Sequence, residues 1–111
     1  MNIHNHIVFI TVATMIVTSP QTQDVTDGQP FMLMCNATGY PVPSIEWALN
    51  GMPYVIRNST VTTITLTEGI HSNTSVITVI NAITNDTGIY QCVATNVVNT
   101  DVHNATVTVK S

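Results

Sequence analysis

The chain has 111 residues and a formal net charge of -4, from two basic and six acidic side chains. Charged residues make up 7% of it, against about a quarter in ordinary soluble domains, and Arg57 and Lys110 stand far apart, so a phosphate-binding footprint and a nucleic-acid partner are excluded. A hydrophobic content of 44% excludes disorder throughout and suffices for the core of one domain.

The chain opens with a polar segment, MNIHNH, and then 12 residues of apolar and threonine character, IVFITVATMIVT. That length suits the apolar region of a signal peptide, with Thr11-Val12-Ala13 as the best cleavage context, although no Lys or Arg precedes it. Its β-branched residues equally suit a first strand. We therefore read residues 1–14 as a signal peptide or N-terminal extension and residues 15–111 as the folded domain, with Met15 to Thr18 retained as strand. No apolar run reaches the ~18 to 20 residues of a membrane-spanning helix, so membrane attachment is expected only through segments outside this chain.

From Gln21 onward, short alternating runs recur between turn signals at Asp27-Gly28, Gly39-Tyr40-Pro41, Asn50-Gly51-Met52-Pro53, Glu68-Gly69 and Asn85-Asp86-Thr87-Gly88. This spacing predicts an all-β sandwich. The 19 threonines and the abundant Val and Ile oppose helices. Strand alternation places Phe31, Leu33 and Cys35 on the inner face, then Ile45 and Trp47, Ile64 and Leu66, Ile77 and Val79, and finally Tyr90, Cys92 and Ala94 with Ala105, Val107 and Val109. The interval from Met52 to Ser75 is longer than a compact sandwich needs and predicts an extra edge strand or a loose excursion.

Five N-x-[ST] triplets occur, at Asn36, Asn58, Asn73, Asn85 and Asn104, where composition alone gives roughly 2.5. They point to a secretory route and mark N-glycosylation candidates. In that setting, two cysteines on inward positions of different strands favour a Cys35–Cys92 disulfide.

The run Leu33-x-Cys35-x-Ala37-Thr38-Gly39-x-Pro41-x-Pro43-x-Ile45-x-Trp47 and the later run Asp86-x-Gly88-x-Tyr90-x-Cys92-x-Ala94-x-Asn96 together resemble an immunoglobulin-like domain of the intermediate set. Such domains occur in cell-adhesion molecules, receptor ectodomains and giant muscle proteins, and the resemblance covers about residues 15–110. It implies an all-β, Greek-key sandwich of two antiparallel sheets with one inter-sheet disulfide. It also implies that Leu33 lies in the core, Trp47 packs on the disulfide, Tyr90 returns its hydroxyl to the corner backbone, Gly88 permits that backbone, and Arg57 is the base available to Asp86. Where relatives usually carry glycine three residues after Asn96, this chain has Asn99, which tolerates left-handed backbone.

No nucleophile elbow is present, so no enzyme activity, catalytic residue, cofactor or metal is expected. His4 and His6 share a strand face but do not complete a zinc site; His71 and His103 stand alone; Asp24, Asp27 and Asp101 read as turn-forming acids rather than calcium ligands. The outward residues Met32, Met34, Val76 and Ile80, with Thr78 and Thr63, Thr65 and Thr67 beside them, form an apolar face that can contact a protein. Asn36 shares this face, whereas Asn104 falls on the opposite sheet beside Gln91, Val93 and Glu46, so sugars at both would leave loop ends and strand edges for recognition. The expected function is extracellular protein recognition, homophilic or heterophilic, in an adhesion molecule or receptor ectodomain with tandem neighbours of the same fold. The alternatives are an intracellular structural module of the muscle-protein type and a secreted decoy or carrier domain.

Overall fold

The computed structural model describes residues 10–111; His4, His6 and the first residues of the apolar N-terminal run, Ile7, Val8 and Phe9, lie outside the described residues. Nine strands follow in chain order: β1 (Val12–Thr18), β2 (Gln23–Thr26), β3 (Phe31–Tyr40), β4 (Ser44–Leu49), β5 (Met52–Pro53), β6 (Thr62–Glu68), β7 (Ser72–Val79), β8 (Gly88–Thr95) and β9 (Thr100–Lys110), with a 3-10 turn at Thr84–Asp86 before β8. They form a four-stranded sheet ordered β1-β3-β7-β6 and a five-stranded sheet ordered β2-β9-β8-β4-β5. All pairs are antiparallel except β2 with β9, which run parallel. Between β1 and β2 the chain crosses from one sheet to the other at Ser19 and the buried Pro20.

Period-two alternation is what builds the core. Strand β3 buries Phe31, Leu33, Cys35 and Ala37 while exposing Met32 and Met34, and β7 pairs with it residue for residue, from Phe31 opposite Val79 to Thr38 opposite Ser72. From the other sheet come Trp47, Tyr90, Cys92, Ala94, Ala105, Val107 and Val109. Two apolar faces are thereby removed from water, the main driving force of the fold at roughly 25 cal/mol per Å².

The inward parity of Ile64 and Leu66 holds, because they stand opposite Ile77 and Ser75 in the ladder, but the expectation that they join the core does not. Ile64 is 40% and Leu66 58% exposed. Strand β6 is the edge of its sheet, and the opposing sheet ends in β5, only two residues long, so the two side chains face an open hollow instead of a closed layer. The long interval is thus filled by a very short edge strand and by a connection anchored at Asn58, whose carbonyl accepts from the amides of Val61 and Thr62 and whose Oδ1 accepts from Thr60.

The β4–β5 hairpin needs positive φ at both central residues, and it has Asn50 at 52° and Gly51 at 81°, the chemistry of a two-residue turn whose twist matches the strands. Gly88 serves differently from the sequence expectation. Its φ is not among the positive ones; a Cβ there would meet the Asn50 side chain at 2.6 Å and Leu49 Cδ1 at 2.8 Å, so the β4–β5 turn packs directly on it and a larger residue would have to push those two side chains aside. Asn50 uses that proximity, its Oδ1 accepting from the Ile89 amide at 2.9 Å.

Candidate functional site

Three polar connections pin the core. Cys35 of β3 and Cys92 of β8 form the inter-sheet disulfide, with Cα atoms 6.4 Å apart. Trp47 stands beside Cys92 in the β4–β8 ladder, and its indole Nε1 donates to Ser75 Oγ of β7 at 2.8 Å, a second inter-sheet link that the sequence pattern did not disclose. Tyr90 donates its hydroxyl to the Asp86 carbonyl at 2.6 Å, closing the corner between the 3-10 turn and β8.

The Asp86 carboxylate is the hub of that corner. Arg57 donates to it from Nε at 2.9 Å and from Nη2 at 3.1 Å, Nη2 also reaches the Asn81 carbonyl at 2.6 Å, and the Ile83 amide donates to Oδ2 at 2.9 Å. The hydrogen bond that Arg57 donates to Asp86 raises the arginine pKa above its ordinary value. Burial raises the pKa of Tyr90 strongly, with the charges of Tyr54 and Asp86 adding to it, and burial followed by the field of Asp86 raises that of Tyr54.

These tyrosine shifts have a definite sign. A pKa raised in the folded state gives stability that is complete below the unfolded value of 10.0 and is lost as pH rises toward the folded one. The urea midpoint is expected to hold up to pH 9 and fall above about pH 10, with Tyr90 alone costing about 1.4 kcal/mol per further pH unit. Denaturation series at several pH values check this, and Tyr54→Phe is expected to shallow the slope.

Strand β1 is held to the other sheet by side chains rather than by a backbone ladder. Asn99 accepts from the Thr14 amide at 2.7 Å and donates to the Thr14 carbonyl at 3.2 Å; Asp101 accepts from the Ile16 amide at 2.8 Å; Asn96 donates to the Val12 carbonyl at 2.7 Å. Ser19 Oγ bonds His103 Nδ1. Asn99 therefore does not act through left-handed backbone, the expectation from sequence; its side chain clips β1. Asp24 and Asp101 lie in β2 and β9 rather than in turns. The signal that was available is the row Asn99, Asp101, His103, hydrogen-bonding residues at the two-residue spacing of one strand face.

The glycan candidates separate by environment. Asn58, Asn85 and Asn104 are exposed and Asn36 is half-buried on the outer face of β3. Asn73 is the exception: it is 4% exposed on the inner face of β7, and its Nδ2, the atom a sugar would occupy, donates to the Pro43 carbonyl at 3.1 Å. The fold leaves no room for a sugar there, because Asn73 has the inward parity of Ser75 and Ile77. Asn104 stands opposite Gln91, with Val93 and Glu46 beside it.

Shallow hollows line the surface of the described residues. One, of about 300 Å³, is bounded by Val12, Gly39, Tyr40 and His71; another, of about 490 Å³, lies under the open margin, between Trp47, Tyr54 and Ile64. Among the described residues no group of three or more His, Cys, Asp or Glu comes together.

The model of the immunoglobulin domain family matches residues 15–96. The chain belongs to that family. Human hemicentin-1 is 34% identical over 105 residues, 89% of this chain and 2% of that protein, and the chicken cell adhesion molecule DSCAM is 34% identical over 82 residues, 73% of this chain and 4% of that protein. Among solved structures, a chimeric titin Z1Z2 carrying an exogenous decorin peptide superimposes with a TM-score of 0.78 at 26% identity, over 91% of this chain and 98% of that one. The chain thus corresponds to one immunoglobulin module and spans only a few per cent of the curated relatives it matches. Domains of this family and fold are generally non-catalytic, and what one of them does rests on the surfaces it carries rather than on the fold.

Proposed function

We propose that this immunoglobulin module is extracellular and recognises a protein, in cell adhesion or as part of a receptor ectodomain, beside tandem neighbours of the same fold. The observation that carries the reading is the Cys35–Cys92 disulfide joining the two sheets, since structural disulfides persist in oxidising compartments. The four sequons at exposed or half-exposed asparagines agree with that setting, and so does the likeness to a protein named a cell adhesion molecule. With sugars on both sheet faces, the surfaces left to a protein partner are the loop ends and the open β6 margin. Residues 1–14 then act as the signal peptide or N-terminal extension ahead of the domain at residues 15–111, with Val12, Ala13 and Thr14 at the end of that segment already forming the start of β1.

The second reading, an intracellular structural module, draws support from the titin superposition. Intact mass separates the two when the chain is made through a eukaryotic secretory pathway and measured as made, after deglycosylation, and after alkylation with and without reduction. The extracellular reading expects export, a mass loss on deglycosylation, and alkylation of Cys35 and Cys92 only after reduction. Retention in the cell with no sugar and two free thiols would overturn it and leave the structural module.

A further inference from the structure

The outer face of the four-stranded sheet is unusually bare. Met15 and Val17 of β1, Met32 and Met34 of β3, and Ile80 just past β7 are all exposed large apolar residues, and Val76 lies half-buried among them. Strands β1, β3 and β7 contain no Asp, Glu, Lys or Arg, and the outward residues of β6 are Thr63, Thr65 and Thr67. An uncharged surface rich in exposed apolar side chains marks a contact or a covered face.

One polar group with a modification signal stands in the middle of it. Asn36, of the triplet Asn36-Ala37-Thr38, lies between Thr18 of β1 and Thr74 of β7 in the ladder, with Met34 two residues along its own strand and Val76 opposite Met34. The contrast with the neighbouring triplet is sharp. Asn36 pairs with Thr74 and Ala37 pairs with Asn73, so the two asparagines sit one ladder step apart and, by strand alternation, on opposite faces. Asn73 is turned into the core with its nitrogen committed to Pro43; in Asn36 it is the amide oxygen that is buried, without a partner.

We propose that Asn36 carries an N-linked glycan whose stem lies over Met32, Met34 and Val76, so that the chain's own sugar, rather than a protein partner, covers this face, while the Asn73 triplet stays unmodified. Glycans are bulky and solubilising, and the first sugars extend from the centre of the patch over residues on either side. The interaction face suggested by the sequence then becomes a shielded face, and recognition is left to the loop ends and sheet edges. This inference rests on the extracellular reading above.

The test uses the full chain secreted from mammalian cells, with site-by-site occupancy from chymotryptic glycopeptides. Occupied Asn36 and bare Asn73 are expected. Thr38→Ala, which removes the triplet without touching Asn36, and Asn36→Gln are each expected to convert a monomer into a species whose sedimentation shifts with concentration and which binds an apolar dye. Thr106→Ala, which removes only the Asn104 sugar, is expected to leave both readouts unchanged. Bare Asn36 with sugar on Asn58, Asn85 or Asn104 overturns this proposal and leaves the extracellular reading standing; no sugar at any triplet overturns both. An occupied Asn36 whose two variants remain monomeric and dye-free overturns the covering role.

Discussion

Reducing the Cys35–Cys92 disulfide is expected to lower the stability of the domain by about 4 kcal/mol, the largest single effect available to one bond here. The two residues are 57 apart in sequence, and in the chain-entropy account a crosslink over so long a loop removes much of the freedom of the unfolded chain. Whole domains are stable by only about 5–15 kcal/mol, so this is a large share. At about 4–8 °C per kcal/mol for a domain of this size, the melting midpoint should fall on the order of 15–30 °C in reductant. Thermal unfolding with and without reductant, alongside a Cys35→Ala/Cys92→Ala double variant, provides the check. The double variant separates the lost crosslink from the volume of the sulfurs, which sit among Leu33, Trp47 and Ile77 in the core. A midpoint unmoved by reduction would mean that packing and the Trp47–Ser75 link already hold the sheets together unaided.

The fold was legible because its main signal is periodic. Alternation at Phe31, Leu33 and Cys35, and again at Tyr90, Cys92 and Ala94, assigns the inner face without ambiguity, since a one-residue slip would expose every one of them. The same rule misplaced Ile64 and Leu66 in the core. Parity states which way a side chain points but not whether anything stands opposite, and here the facing sheet stops at a two-residue strand. Parity also puts Asn73, in the same strand as Ile77, on the inner face; the triplet pattern is blind to burial.

Side chains that bond to backbone across sequence left the weakest trace. The Asn99 and Asp101 clips span 85 residues each, and no local pattern announces which amide in β1 they will meet. Gly88 stands out in the sequence as a corner glycine, yet what meets it, the side chains of Asn50 and Leu49 from the β4–β5 turn, depends on two segments whose meeting only the folded chain fixes. The surface is the least legible of all, because exposed residues obey fewer constraints than packed ones and a binding partner leaves no periodic signature in a single sequence.

Asp86→Ala is expected to destabilise the domain by about 2–3 kcal/mol, because it leaves a guanidinium and a backbone amide without their acceptor rather than simply deleting a contact. The carboxylate side chain is 8% exposed and the Arg57 side chain 29% exposed. Without Asp86, the guanidinium loses both of its carboxylate bonds and retains only the Asn81 carbonyl, while the Ile83 amide is left without its acceptor. Arg57→Met should cost less, about 1–2 kcal/mol, since the carboxylate keeps the Ile83 amide and the arginine head is partly in water, where ion pairs are screened. Asp86→Asn should fall between the two, preserving an oxygen for Ile83 but removing the charge. The pair is therefore asymmetric: the carboxylate organises the corner, and the arginine neutralises it. Urea unfolding of both single variants and of the double variant completes a thermodynamic cycle, in which a coupling of about 1–3 kcal/mol is expected for groups in direct contact. Additive losses would instead show that Asp86 acts through Ile83 and the turn alone, with Arg57 a bystander on the surface.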